Sequence, residues 1–110
     1  MSSFKIKGGL RLKGEITPQG AKNEALQVIC APLLTAEPVT IHNIPDILDV
    51  NKLIELIGDL GCNVEKLGKG SFRFTAAQIN TDFLQTDTYR KKASALRGSV
   101  MLLGPILARF

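Results

Sequence analysis

An α/β fold (in its α+β form) is predicted by three features of this 110-residue sequence. Segments that alternate apolar and polar residues are interleaved with segments whose apolar residues recur at helical spacing. Glycine, proline and asparagine punctuate the junctions, and hydrophobic residues make up 45% of the chain against 22% charged. That balance excludes a disordered chain, and two cysteines are too few for a disulfide scaffold. A chain of this length buries roughly 65% of its unfolded surface, enough for a core.

The elements follow in order. Phe4 to Lys7 and Leu10 to Thr17 alternate apolar and polar residues, which predicts strands interrupted by Gly8-Gly9 and Gly14. Pro18-Gln19-Gly20-Ala21 turns the chain into a first helix. There Ala25, Leu26, Ile29, Cys30, Leu33 and Leu34 fall at helical spacing, with Asn23 as candidate N-cap and Glu37-Pro38 as the stop. Val39 to His42 is a short β-branched strand. A second helix carries Val50, Leu53, Ile54, Ile57 and Leu60 on one face. Asp46 or Asp49 is its cap, and Gly61 sits where a left-handed C′ residue is expected. Two strands follow, Cys62 to Lys66 and Ser71 to Thr75, with Phe72 and Phe74 on a shared face.

Residues Ala76 to Thr88 are polar and irregular, with Asp87 or Thr88 as a cap. A third helix then starts near Tyr89 and runs through Leu96, Val100, Leu103 and Leu107. Its last stretch is apolar on nearly every side, so it is expected to be buried all round. The sequence ends at Arg109-Phe110 without a cap, a turn or a polar tail, which predicts that the chain is a piece of a longer one.

Charge and leader signals narrow the function classes. Lys and Arg outnumber Asp and Glu by 14 to 10, giving +4 at neutral pH, a mild preference for anions that falls short of a nucleic-acid-binding patch. The N-terminus lacks the apolar run of a secretory signal. The longest uncharged stretch, Ala25 to Ala36, contains Gln27, Pro32 and Thr35 and is shorter than the about 20 apolar residues of a transmembrane helix. Cys30 and Cys62 lie far apart in apolar settings, and His42 is the only histidine. Structural thiols, no metal site and a reduced cytoplasmic setting are therefore expected.

Two segments are candidates for binding chemistry. In Gly20-Ala21-Lys22-Asn23 the glycine permits close backbone approach, a helix start presents unpaired N–H groups, and Lys22 adds a full charge. The string suits a phosphate or carboxylate, or equally an ordinary turn with an exposed lysine. Arg90-Lys91-Lys92, placed in the first turn of the third helix, oppose the helix dipole there. They suggest an anion nearby or a solvated basic turn. Arg97 falls within the apolar third helix, where a guanidinium needs an anionic partner.

A longer pattern bears on these alternatives. Leu12-Lys13-Gly14-Glu15-Ile16, Gly20 to Asn23 with Ala25-Leu26, Glu37-Pro38-Val39, Asn43-Ile44-Pro45, Asp49-Val50, Leu60-Gly61 and Leu103-Gly104-Pro105 through Phe110 occur in this order along almost the whole chain. In this the sequence resembles the N-terminal part of the UDP-N-acetylglucosamine enolpyruvyl transferases (1-carboxyvinyltransferases). The resemblance implies a two-lobed fold of repeated βαβαββ units, an inside-out α/β barrel with the active site between the lobes. Residues 1–21 would then be strands that pair with the other lobe, and 22–110 the first unit of the first lobe with its following helix.

The resemblance also implies the reaction: transfer of the enolpyruvyl group of phosphoenolpyruvate to the 3-hydroxyl of UDP-N-acetylglucosamine, with release of phosphate, committing the sugar to peptidoglycan. Lys22 and Asn23 are then expected to contact phosphoenolpyruvate and Arg97 the UDP-sugar, with no cofactor, no nucleic acid and no membrane partner. The proton-donor cysteine of such enzymes is expected beyond Phe110, matching neither Cys30 nor Cys62. The carboxylate beside the sugar hydroxyl is expected from the other lobe, so the 110 residues alone are expected to be inactive. Glu24 replaces a residue that is often small in such enzymes. Shikimate 3-phosphate transferases usually carry a lysine–serine pair where this chain has Lys22-Asn23. An RNA-binding module of the same unit is a further alternative, although six aromatics offer little stacking surface.

Overall fold

The structure, a computed structural model, describes residues 2–110, with the side chains at 97 and 98 excepted. It is mixed α and β. Helix α1 spans Lys22–Val28, strand β1 Val39–Ile41, helix α2 Leu48–Asp59, strands β2 Asn63–Gly68 and β3 Ser71–Thr75, and helices α3 Asp87–Ser94 and α4 Leu103–Arg109. Short 3₁₀ turns occupy Ala31–Leu34, Thr81–Gln85 and Arg97–Leu102.

The sheet is small and antiparallel, in the order β1-β3-β2. Phe74 is central, opposite Val39 on one side and Val64 on the other. It is fully buried and stacks on Phe72 at 6.1 Å between ring centroids, so the shared aromatic face is core. The opposite face carries Thr40, Arg73 and Glu65 in register, with Arg73 and Glu65 paired at 3.4 Å. Ile29, Leu33, Val50, Leu53, Leu56, Ile57 and Leu60 close over the aromatic face with no exposed surface. In α2, Leu56 takes the core position, and Ile54 packs at its margin.

Residues 2–21 form neither helix nor strand, against the expectation for Phe4–Lys7 and Leu10–Thr17. Phe4, Leu12 and Ile16 are each at least 94% exposed. An alternating pattern supplies an apolar face but no ladder, and none of the described elements lies alongside to provide hydrogen bonds. This segment also stretches the molecule. The radius of gyration is 17.3 Å, where a compact chain of this size has about 13 Å.

Helix boundaries depart from expectation where proline acts. Pro32 has no N–H and would clash with the carbonyl four residues back, so α1 stops at Val28 and the chain continues as a 3₁₀ turn through Leu34. The third helix is likewise not continuous. Leu96 is extended (φ −127°, ψ 106°), and α4 restarts so that Pro105 falls in its first turn, where a missing N–H costs nothing. Only Leu102 and Ile106 of the last stretch are buried; Val100, Leu103 and Leu107 are more than half exposed, correcting the expected all-round burial.

The caps also differ. Ala21, extended and without a side-chain bond, precedes α1, so Asn23 lies inside the helix. Neither aspartate caps α2: Asp46 accepts from Asn51 Nδ2 at 2.8 Å, and Asp49 sits in the first turn. Thr86, not Asp87 or Thr88, caps α3 by accepting from the Tyr89 N–H. Gly61 does adopt positive φ (110°), and a Cβ there would lie 2.6 Å from the Gln78 oxygen. Arg109 fastens α4 to the body by donating to the carbonyls of Leu33, Thr35 and Ala76 at 3.2, 2.9 and 2.6 Å.

Candidate active site

Gly20 is needed for a reason internal to the fold. A Cβ on it would collide with the Asn43 carbonyl, at a turn where Asn43 itself adopts positive φ (58°). The close approach expected at this glycine is therefore to the chain's own backbone. That contact fixes where α1 begins and hence where Lys22 and Asn23 project. With seven residues α1 has little dipole to offer, so the binding chemistry rests on side chains.

Lys22 and Asn23 line an open cleft of about 490 Å³, shared with Gln27, Asp49, Leu96 and Val100. Lys22 Nζ lies 2.7 Å from Asp49 Oδ2, with both side chains partly exposed. The hydrogen bond and charge of Lys22 hold the Asp49 carboxyl below its ordinary value of 3.8; Lys52 adds to the effect and desolvation opposes it. The cleft is therefore lined by an ammonium, two carboxamides and a carboxylate together with the apolar side chains of Leu26, Leu96, Val100 and Met101. Among the described residues lining it, an anion entering the cleft meets Lys22, whose ammonium is already paired with Asp49.

Leu96, Val100 and Met101 also line the cleft, the last two from the 3₁₀ turn Arg97–Leu102. Arg97 begins that turn, and its side chain lies outside the described residues. Lys22 and Asn23 thus share an opening with part of the turn that follows Leu96.

The other basic candidates are accounted for. Because α3 starts at Asp87, Lys91 and Lys92 lie in its last turn and favour the dipole. Arg90 faces Asp87 at 3.8 Å, and Lys92 bridges Glu55 (3.0 Å) and Asp59 on α2. Arg90 and Lys92 thus meet protein carboxylates, while Lys91 is exposed, in keeping with the alternative of a solvated basic turn.

Cys30 and Cys62 are buried free thiols. Burial pushes the Cys30 thiol up to about 11 and the Cys62 thiol up as well, with a backbone hydrogen bond at Thr75 opposing the latter. Both are protonated and poorly nucleophilic at neutral pH. His42 Nδ1 bonds Ser71 Oγ at 2.9 Å. Among the described residues, no three His, Cys, Asp or Glu side chains gather as a metal site, and no helix is long and apolar enough to cross a membrane.

Sequence reasoning read Asp49 as a cap and missed it as the partner of Lys22. No local spacing links the two, because the contact is made by α1 packing on α2. Arg109 was missed for the same reason: its acceptors come from distant turns.

Comparison with known proteins places these residues in a wider context. The family model for EPSP synthase (3-phosphoshikimate 1-carboxyvinyltransferase) matches residues 6–110. Proteins named UDP-N-acetylglucosamine 1-carboxyvinyltransferase are similar over all 110 residues. The one from Bacteroides fragilis is 62% identical, that from Bacteroides thetaiotaomicron 59%, and that from Porphyromonas gingivalis 50%. The chain spans 25% of the length of each of these relatives.

Proposed function

The chain belongs to the EPSP synthase family, and from that premise we propose that it supplies one wall of the active site of an enolpyruvyl transferase acting on UDP-N-acetylglucosamine. The observation that carries the reading is the cleft shared by Lys22, Asn23 and the turn bearing Arg97. The names of relatives at 50 to 62% identity support the choice of sugar acceptor. Against the shikimate reaction, for which the family is named, stands the Lys22-Asn23 pair itself.

In this reading Lys22 donates to the charged oxygens of phosphoenolpyruvate and Asn23 fixes their orientation. Arg97 meets the diphosphate-linked sugar. The sugar 3-hydroxyl adds to C2 of phosphoenolpyruvate while C3 takes a proton, giving a tetrahedral intermediate. Loss of phosphate and of a C3 proton restores the double bond on the sugar. The proton donor and the carboxylate near the hydroxyl come from chain outside these 110 residues. Residues 1–21 pair as strands with a second lobe, residues 22–110 form a βαβαββ-type unit of the first, and the whole works in the cytoplasm on the route to peptidoglycan.

Substituting Lys22→Ala in the complete protein tests the assignment. Losing one charge-assisted contact is worth about 1.5–3 kcal/mol. The expected fall in kcat/KM for phosphoenolpyruvate is about 10- to 150-fold, and an unchanged value sinks the assignment. Thermal stabilisation by UDP-N-acetylglucosamine but not by shikimate 3-phosphate is the expected result for the acceptor; the reverse pattern moves the reading to the sister reaction.

A further inference from the structure

We infer that Asp49 is a positioning residue for phosphoenolpyruvate binding: its carboxylate holds the Lys22 ammonium over the cleft in the orientation that meets the incoming anion. The inference rests on the reading of Lys22 given above and extends it to a residue on a different helix.

Lysine carries its charge on a flexible four-carbon stem, and Lys22 sits at the first residue of a short helix with its side chain 45% exposed. Left alone, such a side chain samples many directions. Asp49 is the stiffer member of the pair. Its short side chain stands on the first turn of the twelve-residue helix α2, where the dipole favours an acid. Val50 and Leu53, both fully buried, lock that turn into the core. The 2.7 Å contact therefore ties the lysine to a helix turn anchored in the core.

The ammonium has three N–H donors, and Asp49 occupies one of them, leaving two free for a phosphate or carboxylate. The nearby Asp46 is engaged by Asn51 at 2.8 Å, so Asp49 is the carboxylate that meets Lys22. An acid beside an anion site also repels the anion. At this open cleft mouth, water and salt screen that repulsion, while the freedom of a released lysine is not screened. Orientation is the larger effect, and it sets the sign of the prediction.

A double-substitution cycle in the complete protein tests it. Asp49→Asn is expected to raise KM for phosphoenolpyruvate about 10-fold with a smaller change in kcat, as for a contact made before and during reaction. Asp49→Glu, which keeps the charge, is expected to recover most of that loss. In a Lys22→Ala background, Asp49→Asn is expected to change KM less than about 2-fold, because the side chain it positions is gone. A merely structural aspartate gives equal losses in both backgrounds, and that result overturns the inference. So does a KM that falls in Asp49→Asn, which would make the acid a competitor of the substrate. If Lys22→Ala raises KM and Asp49→Asn leaves it unchanged, the inference alone fails. If Lys22→Ala itself has no effect, the functional reading beneath it fails as well.

Discussion

Leu10 to Thr17 and Ser71 to Thr75 carry the same signature, apolar and polar residues in alternation, and end in opposite states. Ser71–Thr75 is the central strand of the sheet, bonded on both sides, with Phe74 fully buried. The earlier segment joins no strand among the described residues and shows Leu12 and Ile16 to solvent. The difference does not lie in the pattern. Strand β3 has a hairpin neighbour, β2, across the turn that contains Gly70 (φ 73°), and β1 pairs along its other edge. Alternation defines which face would be buried; a partner decides whether it is.

The largest expected effect sharpens that contrast directly. Phe74→Ala opens a cavity at the centre of the sheet and is expected to cost about 3–5 kcal/mol of unfolding free energy. Leu12→Ala, on the other segment, is expected to change it by less than about 0.5 kcal/mol. Denaturant titration of the two variants checks both. A comparable loss for Leu12→Ala would mean that the N-terminal segment packs on the body, and the comparison would collapse.

A smaller effect locates the boundary between the two regions. Gly20→Ala pushes a methyl group into the Asn43 carbonyl, between two backbones that cannot both retreat. Forced shifts of this kind cost about 1–3 kcal/mol. Gly8→Ala, with open space around it and no positive φ, is expected to be neutral. Thermal unfolding of both variants reads the difference, and equal behaviour would place the start of the packed body after residue 20.

The same two regions show what was legible in the sequence. The strand–helix–strand–strand succession from Val39 to Thr75 could be read because each element carries its own period and Gly61 and Gly70 mark its turns. Pro32 was visible too, yet helical spacing on either side hid the break it imposes, and nothing in the local spacing marked the interruption at Leu96. The basic cluster was misjudged because its dipole argument depended on the helix start, and Thr86 moves that start ahead of Tyr89. In the site, Lys22 and Asn23 were legible as residue types suited to an anion. Asp49 was not legible as their neighbour, since only tertiary packing of α1 on α2 joins them.

The smallest expected effect concerns cations rather than apolar groups. Lys92 lies between two carboxylates of α2, and its hydrogen bonds to Asp59 and Glu55 raise its pKa above the ordinary 10.5, with desolvation opposing. A group bound more tightly to its proton in the folded state stabilises fully below the unfolded value, and that contribution is lost as pH rises through the folded one. Alkaline titration above 10.5 should therefore erode the stability of the unsubstituted chain slightly more than that of Lys92→Met. Equal alkaline slopes in the two would show that the bridge from Lys92 to α2 contributes nothing to folding.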